Sequence, residues 1–308
     1  MPMPEAFLEL ARQVNNWGRW GDDDERGTLN LITDEVVRRA VACARTGRRF
    51  PLAIPLSEDG PQTGMIPGRV NPQRTMLTVN TPFSGDPGTV CFNDDAVTMG
   101  LQAATHWDSL AHVTYDGRLY NGFGAATVTD AGAGRCGADK IGSLVTRGVL
   151  LDVARARGAA RLEPGYGITP ADLDAAVELA GVAVSAGDAV LLRTGQMQLL
   201  HAGDRRHYPF PSPGPVMRCA VWFRDHEVAA VATDTLPFEA LPGDPPDVFM
   251  PLHLLHLVEM GMLQGQNWDL EALAADCAND GVYEFLLSAT PEPFVGALGA
   301  PVAPVAIK

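Results

Sequence analysis

The chain has 308 residues, of which 46% are hydrophobic and 19% charged, and it carries a formal net charge of −14. That length can bury a substantial core, as one large α/β domain or two small ones, and the composition is that of an ordinary globular protein. The negative charge repels a phosphate backbone or an anionic bilayer over most of the surface, which argues against nucleic-acid and membrane-surface partners. Five scattered cysteines, Cys43, Cys91, Cys136, Cys219 and Cys277, show no Cys-x-x-Cys spacing and read as reduced thiols. With no basic region followed by an apolar run at the start, and no stretch of spanning length, a cytoplasmic protein is expected.

Residues 5 to 15 carry an amphipathic pattern (Phe7, Leu8, Leu10, Ala11, Val14) and predict a short helix leading into Asn16-Trp17-Gly18-Arg19-Trp20-Gly21. The acids Asp22 to Glu25 lack the spacing of a calcium loop and read as a solvated loop or cap. Thr33 ahead of Asp34 and Glu35 marks a second helix, ending near Gly47. Phe50 to Thr81 is Pro/Gly-rich strand and loop territory, and Ala96 to Met99 is a strand. The Asp116-Gly117 pair is a turn between short strands. Buried strands are expected at 144–153, 189–193 and 228–234, and helices at 169–180, 251–260 and 271–278. The last strand is expected at 282–287. His201, His207 and His226 read as surface residues. Asp234, at the end of a buried strand, stands where α/β proteins place substrate-binding groups, though a strand-end cap is an equal reading.

The densest chemistry lies at 102–112, Gln102-Ala-Ala-Thr105-His106-Trp107-Asp108-Ser109-Leu110-Ala111-His112, which holds two of the chain's seven histidines. In an extended segment alternate side chains share a face, which would put Gln102, His106, Asp108 and His112 together. These are ligand types that suit zinc or manganese. A His-x-Asp pair serves equally as a structural hydrogen bond. Trp107 and Tyr115 are candidate substrate-pocket aromatics, with core packing as the other reading.

Thr105, His106, Asp108 and His112 fall in register on the signature His-x-Gly-Thr-His-x-Asp-x-Pro-x-His. On that pattern the chain resembles the cyclase/kynurenine formamidase-like family of metal-dependent hydrolases in its long bacterial form. Asn16-Trp-Gly-Arg-Trp20, Arg147 to Asp152, Leu162 to Tyr166, Leu191 to Gly195 and Asp276 to Glu284 extend the resemblance along nearly the whole sequence. It departs where Gln102 replaces the first histidine, Ala104 the glycine, and Gln266 a glutamate expected thirteen residues after His253. The resemblance implies a swivelling β/β/α single domain over 1–308, with residues 1–50 as a helical extension packed on it. A homodimer or homotetramer is also implied. It implies one divalent metal, zinc or manganese, on His106 and Asp108 with Gln102 and His253, since a carboxamide binds such ions weakly. His112, with Asp108, would carry proton transfer. The expected reaction is hydrolysis of a carbon–nitrogen bond in an amide or lactam, as in kynurenine formamidase or isatin hydrolase, or a related ring closure. The alternatives are a metal-free cyclase or dehydratase of secondary metabolism, and a catalytically silent binding protein on the same scaffold.

Overall fold

A computed structural model describes residues 3–243 and 248–308. Its centre is a nine-stranded mixed sheet whose strands, in chain order, are Arg49–Pro51 (β1), His106–Asp108 (β2), Val145–Asp152 (β3), Ala189–Arg193 (β4), Ala230–Thr233 (β5), Leu263–Gln266 (β6), Glu284–Ser288 (β7), Gly299–Pro301 (β8) and Val305–Ile307 (β9). Their spatial order is β1-β9-β7-β3-β4-β5-β6-β2-β8. The middle four, β3 to β6, are parallel, and every outer pairing is antiparallel. Parallel strands covered on both faces need apolar side chains on both, as the runs Val149-Leu-Leu151 and Val190-Leu-Leu192 provide. Leu150 and Leu191 enter one core cluster, whereas Val149, Leu151, Val190, Leu192 and Val231 enter another.

The expected helices form with local reasons visible. Thr169 and Asp172 close a reciprocal capping box on Pro170–Ala180, and Gly181 ends that helix in the left-handed region. Glu5–Val14 buries Phe7, Ala11 and Val14 in the second cluster, and Asn16 then donates its backbone N–H to the Glu259 carbonyl. The second helix stops at Val41, short of Gly47. The expected helix at 251–260 takes a different form: three α-helical residues, Pro251–His253, run into a π-helix over Leu254–Met260. Such a widened turn shifts side-chain direction and recurs at functional sites. Two short C-terminal strands, β8 and β9, were not expected. Each has three residues, too few for a period-2 pattern to register.

A hairpin of Gln73–Pro82 and Cys91–Thr98 forms a two-stranded sheet of its own among the described residues and is exposed along most of its length. All five cysteines are free, and among the described residues no helix is long and apolar enough to cross a membrane.

Candidate functional site

The site forms where β2 lies against β6. Gln266 registers with His106 and Gln264 with Asp108. Alternation then sorts the chemistry. His106, Asp108, Gln264 and Gln266 share one face, and Trp107 and Gly265 point to the other. Trp107 is fully buried there, packed edge-on against Trp268 at 4.9 Å, with its indole N–H donated to the Ala289 carbonyl. A Cβ at Gly265 would lie 2.7 Å from Ala232 Cβ and 2.9 Å from the Trp107 ring, so only glycine lets this layer close beneath the site. Trp107 is therefore a core residue that supports the site from behind, a correction to its reading as a substrate contact.

The extended segment is shorter than the sequence pattern implied. The chain turns after Asp108, with the His112 N–H donated to Ser109 O, and this turn, not strand alternation, brings His112 back over Asp108. Its Nε2 lies 3.7 Å from Asp108 Oδ1. Gln102 lies before the strand, half-buried, with its amide against Gly299, and no hydrogen bond joins it to the histidines or Asp108 among the described residues.

Tautomers follow from the partners. His106 Nδ1 lies 2.7 Å from the Ala104 carbonyl and must donate to it, which leaves Nε2 as a lone pair. That lone pair lies 3.4 Å from Asp108 Oδ1, and both atoms are buried without a hydrogen-bond partner among the described residues. His253 Nδ1 donates to Glu239 Oε1 at 2.7 Å, and Glu239 also accepts the Leu252 and His253 backbone N–H groups. A carboxylate at a helix start is well placed for those donors. The two amide protons of Gln266 then have two acceptors, Asp108 Oδ2 at 2.6 Å and His253 Nε2 at 3.2 Å. A flipped amide would oppose oxygen to carboxylate, so the donor assignment is fixed by its surroundings. Burial pushes the Asp108 carboxyl up, but His112, His106 and His253 outweigh it and hold the group well below the usual carboxylate range. Burial draws the His112 imidazole below its ordinary value, against the pull of Asp108 and with the help of His253, His106 and Arg69.

His106 Nε2 and Asp108 Oδ1, 3.4 Å apart and both buried, are a nitrogen and an oxygen donor of the kind zinc or manganese accepts, and a cation between them would match both lone pairs. The His106 N–H on the Ala104 carbonyl is the usual support for a metal-bound imidazole. His253 is supported in the same manner, but Gln266 occupies its lone pair, so a second ligand cluster is closed off. Among the described residues no group of three or more His, Cys, Asp and Glu side chains is arranged to hold a metal ion.

A cavity of about 560 Å³ reaches His253, lined also by Val113, Tyr115, Phe249, Met250 and Leu254. Tyr115 donates its hydroxyl to Glu259, which also accepts from Asn15 at 2.5 Å. It thus belongs to the wall where the N-terminal helix meets the π-helix. Asp234 does not reach the site. It is fully buried, and its oxygens accept the Thr194 N–H, the Thr194 hydroxyl and the Gly195 N–H at 2.7–2.9 Å, stitching the ends of β4 and β5. Its reading as a substrate contact is corrected to that of a strand-end fastener. His256 is also structural: its Nδ1 accepts from Gln264, and its ring stands edge-on to Phe223 and Phe238. Glu239 and Gln264 carry no sequence signal, because each becomes part of the site only through contacts across the sheet.

A buried imidazole–carboxylate cluster on a mixed α/β sheet, beside an apolar cavity, is the outline of a small-molecule enzyme. The family model described as "Putative cyclase" matches residues 50–240, and the chain belongs to that family. A crystal structure of a novel cyclase superposes with a TM-score of 0.87 at 37% identity, covering 96% of this chain and all of the other. Isatin hydrolase A from Ralstonia solanacearum has a TM-score of 0.64 at 18% identity, over 89% and 97% of the two chains. A potential metal-dependent hydrolase with cyclase activity gives 0.52 at 17%, over 84% and 98%. No curated protein matches by sequence.

Proposed function

We propose that this protein hydrolyses a carbon–nitrogen bond in a small amide or lactam, or runs the related ring closure, with one divalent cation on His106 and Asp108. The observation that carries the proposal is the pair of buried, unmatched lone pairs on His106 Nε2 and Asp108 Oδ1, 3.4 Å apart, beneath a histidine free to move a proton. When bound, such a cation would polarise the substrate carbonyl and acidify water. His112, one-fifth exposed at its side chain and neutral near pH 7, takes the proton from the attacking water. Water oxygen bonds to the carbonyl carbon, the C–N bond breaks, and His112 returns the proton to the departing nitrogen. Gln266 holds Asp108 in place through Oδ2, leaving Oδ1 turned toward His106 and His112. The apolar lining of the cavity seats the organic body of the substrate and limits bulk water.

One observation favours a second reading, metal-free acid–base chemistry by Asp108 and His112. The Gln266 amide already supplies positive partial charge to Asp108 and His253, the work a cation would otherwise do. We extend the proposal to a homodimer or homotetramer, supported by the self-paired hairpin, where Leu77, Val79, Phe83 and Val90 are exposed.

Turnover of a panel of aryl formamides and aromatic lactams, with wild type and His112→Asn compared at saturating zinc or manganese, tests the reading. Hydrolysis by wild type that falls by roughly two to four orders of magnitude in the variant is expected. Equal rates in the two proteins would remove His112 from the mechanism.

A further inference from the structure

Arg69 stands beside this site with no assigned role. Its aliphatic stem lies in a notch made by a glycine, since a Cβ at Gly100 would come within 2.9 Å of Arg69 Cγ. Gly100 opens the loop that leads through Ala103 to His106, and its own N–H is donated to Val70 O. The arginine is therefore lodged against the loop that delivers the His–Asp strand. Many arginines of this acidic protein have a carboxylate partner, as Arg193 has in Asp152 and Glu271 and Arg48 in Asp276 and Asp280. The half-buried Arg69 guanidinium makes no hydrogen bond or ion pair with any described residue. Holding a cation half out of water without a partner is unfavourable, and a ligand that carries the opposite charge relieves it. Two groups of the site feel this charge: Asp108 acts on Arg69, and Arg69 acts on His112. Asp108 itself does not consume the arginine, because its oxygens face Gln266, His106 and His112.

We propose that Arg69 is the anion-binding residue of the site, receiving the carboxylate of a small ligand whose apolar body lies in the cavity that reaches His253. The planar guanidinium matches a carboxylate with two parallel N–H donors, a geometry a lysine ammonium cannot reproduce. The cavity lining named above offers apolar and aromatic contacts and no second cation among its described residues. The ligand class is accordingly an aryl or alkyl carboxylate: a substrate that bears one, or the acid released when an amide is opened. This deepens the hydrolase reading and rests on it for the location of the chemistry, but its test reads binding alone.

The experiment is calorimetric titration of the full-length protein with phenylacetate and with phenylacetamide, at fixed ionic strength, for wild type, Arg69→Met and Arg69→Lys. Wild type is expected to bind the acid more tightly than the amide. Arg69→Met should weaken phenylacetate roughly 10- to 100-fold and leave phenylacetamide unchanged, with Arg69→Lys between the two. If Arg69→Met does not fold, Arg69→Lys must still weaken the acid several-fold relative to the amide. Wild type that binds acid and amide alike, or neither, overturns the proposal, as does undiminished phenylacetate binding in the variants. A protein that binds phenylacetate through Arg69 yet opens no amide leaves this proposal standing and removes the hydrolase reading.

Discussion

Replacing the Gln266 amide by a carboxylate is the sharpest perturbation of the site. In Gln266→Glu an oxygen would stand where the amide nitrogen now donates to Asp108 Oδ2 at 2.6 Å. Two carboxylates at that separation cannot both ionise, so one must keep a proton in the folded state. Holding a glutamate-like carboxyl protonated at pH 7, against an unfolded value near 4.3, costs about 4 kcal/mol at ~1.36 kcal/mol per pH unit. The pKa of that group is raised on folding, so the loss is absent below about pH 4 and grows as pH rises toward neutrality. With an unfolding entropy of ~2.1 cal/mol/K per residue, the melting temperature at pH 7 should fall by about 6 °C. A cation placed between the carboxylates reverses the repulsion, and zinc or manganese at 100 times its Kd should restore about 2.7 kcal/mol. Thermal and urea unfolding at pH 4.5 and pH 7, with EDTA or with metal, read all of this. A variant as stable as wild type in EDTA at pH 7 would refute the reasoning, because Gln266 would then not be the donor that bridges Asp108 and His253.

Further predictions concern the frame around the site. Asp234→Asn should cost about 2–3 kcal/mol in urea unfolding, since one oxygen cannot accept the three donors from Thr194 and Gly195 and the new N–H groups would face one of them. Gly265→Ala should cost about 1–3 kcal/mol by driving a methyl into Ala232 and the Trp107–Trp268 pair, and near-ultraviolet circular dichroism should report the displaced indoles. Burial pushes Asp280 up, but Lys308, the Val282 N–H and Arg48 pull it down to about 2. Its contribution is thus present above about pH 4 and lost as pH falls through 2, so Asp280→Asn should destabilise by about 2 kcal/mol at pH 6 and by far less at and below about pH 2. Phe83→Asp with Val79→Asp on the hairpin should lower the molar mass in light scattering. An unchanged mass would remove the hairpin from the assembly.

His106, Asp108 and His112 stand out in the sequence because they are close in the chain, but the contact of His112 with Asp108 comes from the turn after Asp108 and not from the strand alternation that the spacing suggested. For Trp107 and Asp234 the sequence left a substrate contact and a structural role side by side for one shared reason. Residue type and position at a strand end do not reveal which face a side chain takes or how many donors already surround it. Gln266 was legible only as a departure from a family pattern; that its amide spans Asp108 and His253 depends on β6 and β2 being neighbours, which no local pattern encodes. Glu239, Gln264 and Arg69 lie in segments without periodicity and gain meaning only from tertiary contacts. The long buried strands and capped helices were readable because their signals are local, whereas the π-helix and the three-residue strands are decided by packing.

The most direct test of the account is the metal content of protein purified without a chelator or a histidine tag, beside a His106→Ala control. About one zinc or manganese per chain, lost in the control, is the predicted result. Metal-free wild type after soaking with either ion, or two tightly held ions per chain, would contradict a single cation site on His106 and Asp108.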